Sequence, residues 1–193
     1  MKTSPYGKWL LLFLLITGCT QDQKSTHKYF DFEGLIDDQI NQLSQRCRVL
    51  DKMSDMDGEK SDSTFLPSIK GWATELEIFR ELELINKPTY KDAYAITDPV
   101  EDTKSNLLIR QYTAASAPVS FVKFYYQDQF SRLRKIKATI SQSNYLFSTQ
   151  RQLLMEFDEE DGKPLLIRYS MNGFQKMILS DTVRFSVKGQ IDW

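Results

Sequence analysis

Histidine occurs once in this 193-residue chain, at position 27, and cysteine twice, at positions 19 and 47. With so few of either, the sequence has no C-x-x-C pair, no H-E-x-x-H and no His/Cys set that could close a zinc site. A Ser-His-Asp triad would have to use His27, which stands in a polar stretch ahead of the folded part. A G-x-S-x-G elbow and a phosphate-binding loop are missing too, which removes the common hydrolase and nucleotide-binding chemistries and leaves no cofactor motif. Charge of one sign is lacking: 25 basic residues face 26 acidic ones. Nucleic acid is therefore not an expected partner, since phosphate binding needs a basic patch. Long apolar runs are absent, the longest extending from Trp9 to Ile16, far short of the roughly 20 residues that a spanning helix needs. Aromatics at 12% beside 26% charged residues indicate a folded chain and not a disordered one.

What is present begins at the N-terminus. The first eighteen residues hold Lys2 and Lys8, no acid and the Trp9–Ile16 run, and polar TQDQKSTHK follows at once. That is the layout of a cleaved signal peptide. Thr17 and Gly18 supply the small side chains at the cut, Ile16 fills a wider apolar subsite, and Cys19 comes next. A cysteine there could be a small buried hydrophobe, or the cut could be that of an ordinary signal peptidase; the surrounding pattern favours an address.

Ile16-Thr17-Gly18-Cys19 resembles the bacterial lipoprotein signal, in which an aliphatic residue and one or two small ones precede a cysteine that receives a diacylglycerol. The resemblance covers residues 2–19. It implies removal of residues 1–18, a thioether-linked lipid on Cys19 and a palmitate-type chain on its amino group. Two or three acyl chains hold a protein on a bilayer, where one holds it only marginally. Thr20, not an acid, follows the cysteine, which implies the outer membrane, on its periplasmic or its surface side. The mature part keeps 23 basic residues against 26 acidic ones, a net charge of −3. Cys47 is then left without a partner in the chain and is expected as a buried thiol.

Residues 19–28 read as the lipidated cysteine and a flexible polar tether, and residues 29–193 as a single domain. Phe32, Leu35, Ile36, Ile40 and Leu43 recur at three- and four-residue spacing, which predicts one helix. Trp72, Leu76, Phe79 and Leu82 predict a second over GWATELEIFRELELIN, ending before Pro88. The stretch between them, with its Asp57-Gly58 signal, reads as a weak hairpin or as a continuation of the first helix to about Met53. Beyond Pro88 the period falls to two: Leu108–Tyr112, Val122–Tyr126, Leu133–Ala138, Leu153–Asp158, Leu165–Ser170 and Val183–Lys188 read as strands, with turns at 159–164 and at Met171-Asn172-Gly173. Trp193 is expected to anchor the last strand. The fold predicted is α+β: two N-terminal helices packed on a curved, mostly antiparallel meander of about seven strands.

Several clusters stand out as candidate sites. Asp55–Glu59 resembles a calcium loop only superficially, because its sixth and twelfth positions are Lys60 and Leu66 where Gly and Glu are needed. The acids Glu156, Asp158, Glu159, Glu160 and Asp161 could supply a glycosidic carboxylate pair, but read more simply as a solvated hairpin end. The basic run Arg132–Lys137 reads as an exposed edge that resists pairing. Tyr125 and Tyr126 could stack on sugars or a partner.

Together with the signal and the tether, Trp72-x-x-Glu75-Leu76-Glu77-Ile78-Phe79 and Tyr169-Ser170-Met171-Asn172-Gly173-Phe174-Gln175-Lys176 resemble small lipoproteins of Bacteroidota. That resemblance implies a location and a fold, not a mechanism. The expected function is a membrane-tethered, non-catalytic binding or envelope-assembly protein whose contacts are the membrane, through its lipid, and an envelope protein. A carrier of apolar ligand or lipid in a half-barrel is the alternative, and an enzyme acting through converging carboxylates comes third.

Overall fold

Asp31 starts the first helix, α1 (Phe32–Gln45), by accepting the Gly34 N–H at 2.7 Å, a side-chain cap on a free backbone donor. The computed structural model describes residues 27–46 and 48–192; the signal segment with Ile16, Thr17, Gly18 and Cys19, the tether up to residue 26, Cys47 and Trp193 lie outside them. α1 buries Phe32, Ile36, Ile40 and Leu43, each worth about 1.5–3 kcal/mol relative to exposure. Ser68 caps α2 (Ile69–Arg80) in the same way through Gly71, and α2 buries Trp72, Leu76 and Phe79.

The apolar spacing predicts one helix through GWATELEIFRELELIN, but after Arg80 it tightens into a 3-10 helix over Glu81–Asn86. Phe79, Leu82 and Ile85, all wholly buried, lie three residues apart, which puts them on one line only at three residues per turn. Arg151 clamps Glu81 at the start of this segment with two hydrogen bonds of 2.8 and 2.6 Å.

Nine strands follow the chain: β1 (Val49–Met56), β2 (Glu59–Phe65), β3 (Ala95–Glu101), β4 (Leu108–Thr113), β5 (Val119–Tyr126), β6 (Leu133–Ser143), β7 (Phe147–Glu160), β8 (Lys163–Met177) and β9 (Val183–Asp192). They form one open sheet in the order β2-β1-β9-β8-β7-β6-β5-β4-β3, every pairing antiparallel. The class is α+β, with nine strands in place of about seven. The meander β3–β9 accounts for seven, and the N-terminal hairpin adds two because β1 pairs with β9 from Val49↔Asp192 to Met56↔Phe185. The hairpin turns where its signal stands, with Asp57 and Gly58 both at positive φ, the requirement of a tight two-residue turn. Asp161 and Gly162 do the same between β7 and β8.

Met171-Asn172-Gly173 is not a turn. β8 runs through it, with Gly173 directly opposite Phe185. A Cβ there would lie 2.8 Å from the Phe185 ring and 2.4 Å from the Gln150 carbonyl, so this glycine makes room for an aromatic neighbour and bends no chain. A bulge near Glu156/Phe157 also shifts the alternation in β8: Leu165 and Leu166 are both buried and Arg168 is exposed. α1, α2 and the 3-10 segment share one core with residues of β1 and β4–β9.

Candidate functional site

A groove of about 640 Å³ lies where the chain enters the domain, its lining including His27, Glu33, Arg80, Glu81, Glu83 and Asn86. Glu83 lies on the 3-10 segment and reaches the start of α1, where one of its oxygens accepts the N–H groups of Phe32 (2.9 Å) and Glu33 (3.3 Å). Its other oxygen accepts from Asn86 at 2.7 Å and lies 3.0 Å from His27 Nδ1. Asn86 also accepts the Tyr29 N–H at 2.9 Å and donates to the Phe30 carbonyl at 3.0 Å.

His27, Asp31 and Glu83 bring one ligand atom each within 4.8 Å of one another, a spacing that could hold a cation. The donor set fits a helix cap better. Asp31 and Glu83 already accept three backbone N–H groups of α1, and the positive end of a helix repels a cation and attracts carboxylates. The arrangement fastens the first residues of the domain to the 3-10 segment. Nothing local in the sequence pairs His27 with Glu83, fifty-six positions away, so only the fold reveals this cluster.

The acids at the end of β7 are brought together, each against a base. Glu156 meets Lys135 at 3.0 Å and Arg168 at 2.9 Å; Asp158 meets Arg134, and Glu159 meets both Arg132 and Arg134 at 3.0 Å. Glu160 and Asp161 face Arg46. Burial alone would raise the Glu156 carboxyl, but the hydrogen bonds from Lys135 and Arg168 outweigh it and hold the group below its ordinary value. A glycosidic acid needs the opposite shift. The Asp55–Glu59 segment is occupied with its turn, where Asp55 accepts the Gly58 N–H at 2.9 Å and Asp57 that of Arg184 at 2.7 Å.

The basic run Arg132–Lys137 is not at an edge, since β6 lies between β5 and β7. Arg132 and Arg134 are absorbed by the acids above. Lys135 and Lys137 lie 5.9 and 5.7 Å from the Tyr125 ring, and Lys137 stands directly opposite Lys123 in the ladder. Like charges so placed repel, and of the lysines here Lys135 has a carboxylate partner, Glu156 at 3.0 Å. Beside them a shallow groove of about 320 Å³ is lined by Phe121, Thr139, Gln152, Leu154, Ser170 and Asn172. Tyr126 is buried and donates to Asp98 at 2.7 Å.

A third network lies beneath α2, where Glu75 accepts the Tyr169 hydroxyl at 2.8 Å and pairs with Lys52 at 2.8 Å. Burial, then the Glu75 contact, pushes the Tyr169 hydroxyl far above its ordinary value, so it stays protonated and serves as a pin between helix and sheet. Cys19, with Ile16, Thr17 and Gly18, lies outside the described residues, as does Cys47. Comparison of the chain with protein-family models, curated proteins and solved structures found no match.

Proposed function

We propose that this protein is a lipid-anchored bacterial envelope protein that binds or helps to assemble an envelope partner and catalyses no reaction. The observation that carries the reading is Ile16-Thr17-Gly18-Cys19 placed directly behind the Trp9–Ile16 run and ahead of a polar stretch. Diacylglycerol on Cys19 and a further acyl chain on its amino group would make release from the bilayer very slow, and Thr20 directs the product to the outer membrane. The ion pairing of the β7 acids supports a non-catalytic role, because each faces a base and the Glu156 carboxyl is held below its ordinary value by Lys135 and Arg168, the opposite of what a general acid needs. The sheet face turned away from the helices, with Lys123, Lys137 and Tyr125, is the surface offered to a partner.

A binding face is favoured over a carrier cavity by what lies between helices and sheet. Trp72, Phe79, Phe124 and Ile136 are essentially unexposed and share one cluster. Seven adjacent strands contribute to that cluster; at about 4.8 Å per strand they span roughly 29 Å, while two helices about 10 Å wide cover less. The sheet in this reading curves around its helices and closes on them instead of on a ligand.

Metabolic labelling with an alkyne fatty acid tests the anchor. The wild-type chain should carry the label and fractionate with membranes, and Cys19→Ser should lose the label. An unlabelled wild-type product, or one cut elsewhere, sinks the reading.

A further inference from the structure

Strands β6–β9 end in two neighbouring turns, 144–146 and 178–182. They are tied together, because β7 pairs with both β6 and β8 and the Ile178 N–H donates to the Leu146 carbonyl at 3.0 Å. Between them they expose Tyr145 (86%), Leu146 (60%), Ile178 (52%) and Leu179 (95%), with Met177 and Val183 exposed just behind. Single exposed apolar residues are ordinary, but a contiguous set at a convex tip marks a contact surface. The same chain builds two other hairpin turns from Asp57-Gly58 and Asp161-Gly162, so turn geometry does not demand this composition.

We propose that this tip inserts into the bilayer that holds the N-terminal lipid. The inference rests on the anchor reading of Cys19 for its choice of occupant, and the fold supplies the geometry. Tyr29, near the first described residue, packs edge-on against Tyr94 at 5.2 Å, and the Tyr94 hydroxyl donates to the Val119 carbonyl at 2.8 Å. Val119 opens β5 and pairs with Ile140 of β6, after which β6 runs on only to Ser143. Tyr29 also packs against Tyr112 at 5.6 Å, level with Val122 and Ala138 in the ladder, so the chain enters the domain between the middle of the sheet and its apolar tip, about 17–24 Å from the tip along the strands at roughly 3.4 Å per residue. Eight peptide steps separate Cys19 from His27, a reach of at most about 29 Å. A tether of that length keeps the tip at the membrane surface.

The chemistry of the tip suits that surface. A tyrosine ring prefers the headgroup level and isoleucine and leucine the acyl chains beneath it. Exposed Lys176 and Arg184 stand on the strands behind the tip and are matched by Asp181 in the turn and by Asp57, which accepts the Arg184 N–H at 2.7 Å, so the approach to the bilayer is carried by the apolar side chains and not by charge. With a lipid alone the domain would tumble on its tether. A second contact stands the sheet upright, with the Asp161-Gly162 turn and the ion-paired acids pointing away from the membrane.

The test uses the full lipid-processed chain reconstituted in phosphatidylethanolamine/phosphatidylglycerol vesicles containing a brominated phospholipid. The reporter is Leu179→Trp, at a position that packs against nothing; the control is Lys163→Trp, at the opposite end of the sheet. The reporter should shift to the blue and lose most of its emission to the bromolipid, while the control keeps its own. A reporter as bright as the control on protein that floats with the vesicles overturns the tip and leaves the anchor standing. If mass spectrometry finds no lipid yet added vesicles still quench the reporter, the tip stands and the anchor reading fails. An unlipidated protein whose reporter stays bright overturns both.

Discussion

Gln39 is 1% exposed and is the one polar residue in the buried set of the described residues. Its amide donates to the Pro164 carbonyl at 3.0 Å and accepts the Leu166 N–H at 2.7 Å, beside the bulge that shifts β8 against β7. A bulge leaves backbone groups without ladder partners, and a buried group left so costs about 1–3 kcal/mol. Gln39→Met keeps nearly the same volume but can bond neither group. It should lower stability by about 1–3 kcal/mol in urea denaturation, and an unchanged midpoint would show that water reaches the bulge. Gly189 is a steric counterpart, since it lies directly opposite Tyr169 and a Cβ there would come within 2.2 Å of the ring. Gly189→Ala should destabilise by about 1–3 kcal/mol through overpacking. The cost should shrink in a Tyr169→Leu background, a non-additivity that a double-mutant cycle reads.

Edge strand β3 shows how an element with no buried residue stays in place. All seven of its residues are exposed, so it gains little from burial. It is held instead by Asp98, which accepts from Arg110 Nε at 2.8 Å and from the Tyr126 hydroxyl at 2.7 Å, while Arg110 lies 3.8 Å over the Phe130 ring. Burial alone would raise the Asp98 carboxyl, but the bonds from Arg110 and Tyr126 outweigh it and keep the group below its ordinary value. A depressed carboxyl contributes stability that is present above the unfolded value, near pH 4, and is lost as the pH falls through the folded one. Hydrogen-exchange protection of β3 should therefore be full at neutral pH and fall on acidification below about pH 4. Asp98→Asn should lower it at neutral pH and flatten the acid response; a variant as steep as wild type would place the titration elsewhere. Elements of this kind mark the limit of legibility. α1, most of α2 and both Asp-Gly turns could be read locally, because period, caps and turn residues lie within a few positions of one another. β3, the 3-10 segment, the unbroken β8 and the His27–Glu83 cap depend on distant partners such as Arg110, Arg151, Phe185 and Asn86. The basic run Arg132–Lys137 lies on a central strand for the same reason: whether a strand is edge or centre is decided by its neighbours and not by its own charges.

At the scale of the molecule, the sheet is a local meander closed by one distant pairing. Strands β3 to β9 each join their neighbours in sequence, whereas β1 reaches β9 at the other end of the domain, Val49 against Asp192. Ordering the chain between such distant partners precedes any gain from their contact, so the pairing is expected to form late. Leu50 and Ile191 face each other across this seam, at 0% and 4% exposure. Ile191→Ala should cost about 2–5 kcal/mol at equilibrium. A seam that forms after the transition state puts nearly all of that loss into faster unfolding, with refolding expected close to wild type. Ile136→Val, within the meander on β6, should cost about 0.5–1.5 kcal/mol and slow refolding by a substantial part of it. Stopped-flow tryptophan fluorescence, to which the wholly buried Trp72 contributes, measures both. If Ile191→Ala slowed refolding by its full equilibrium cost, the hairpin would be docking on β9 before the meander is complete, and the order argued from the topology would be reversed.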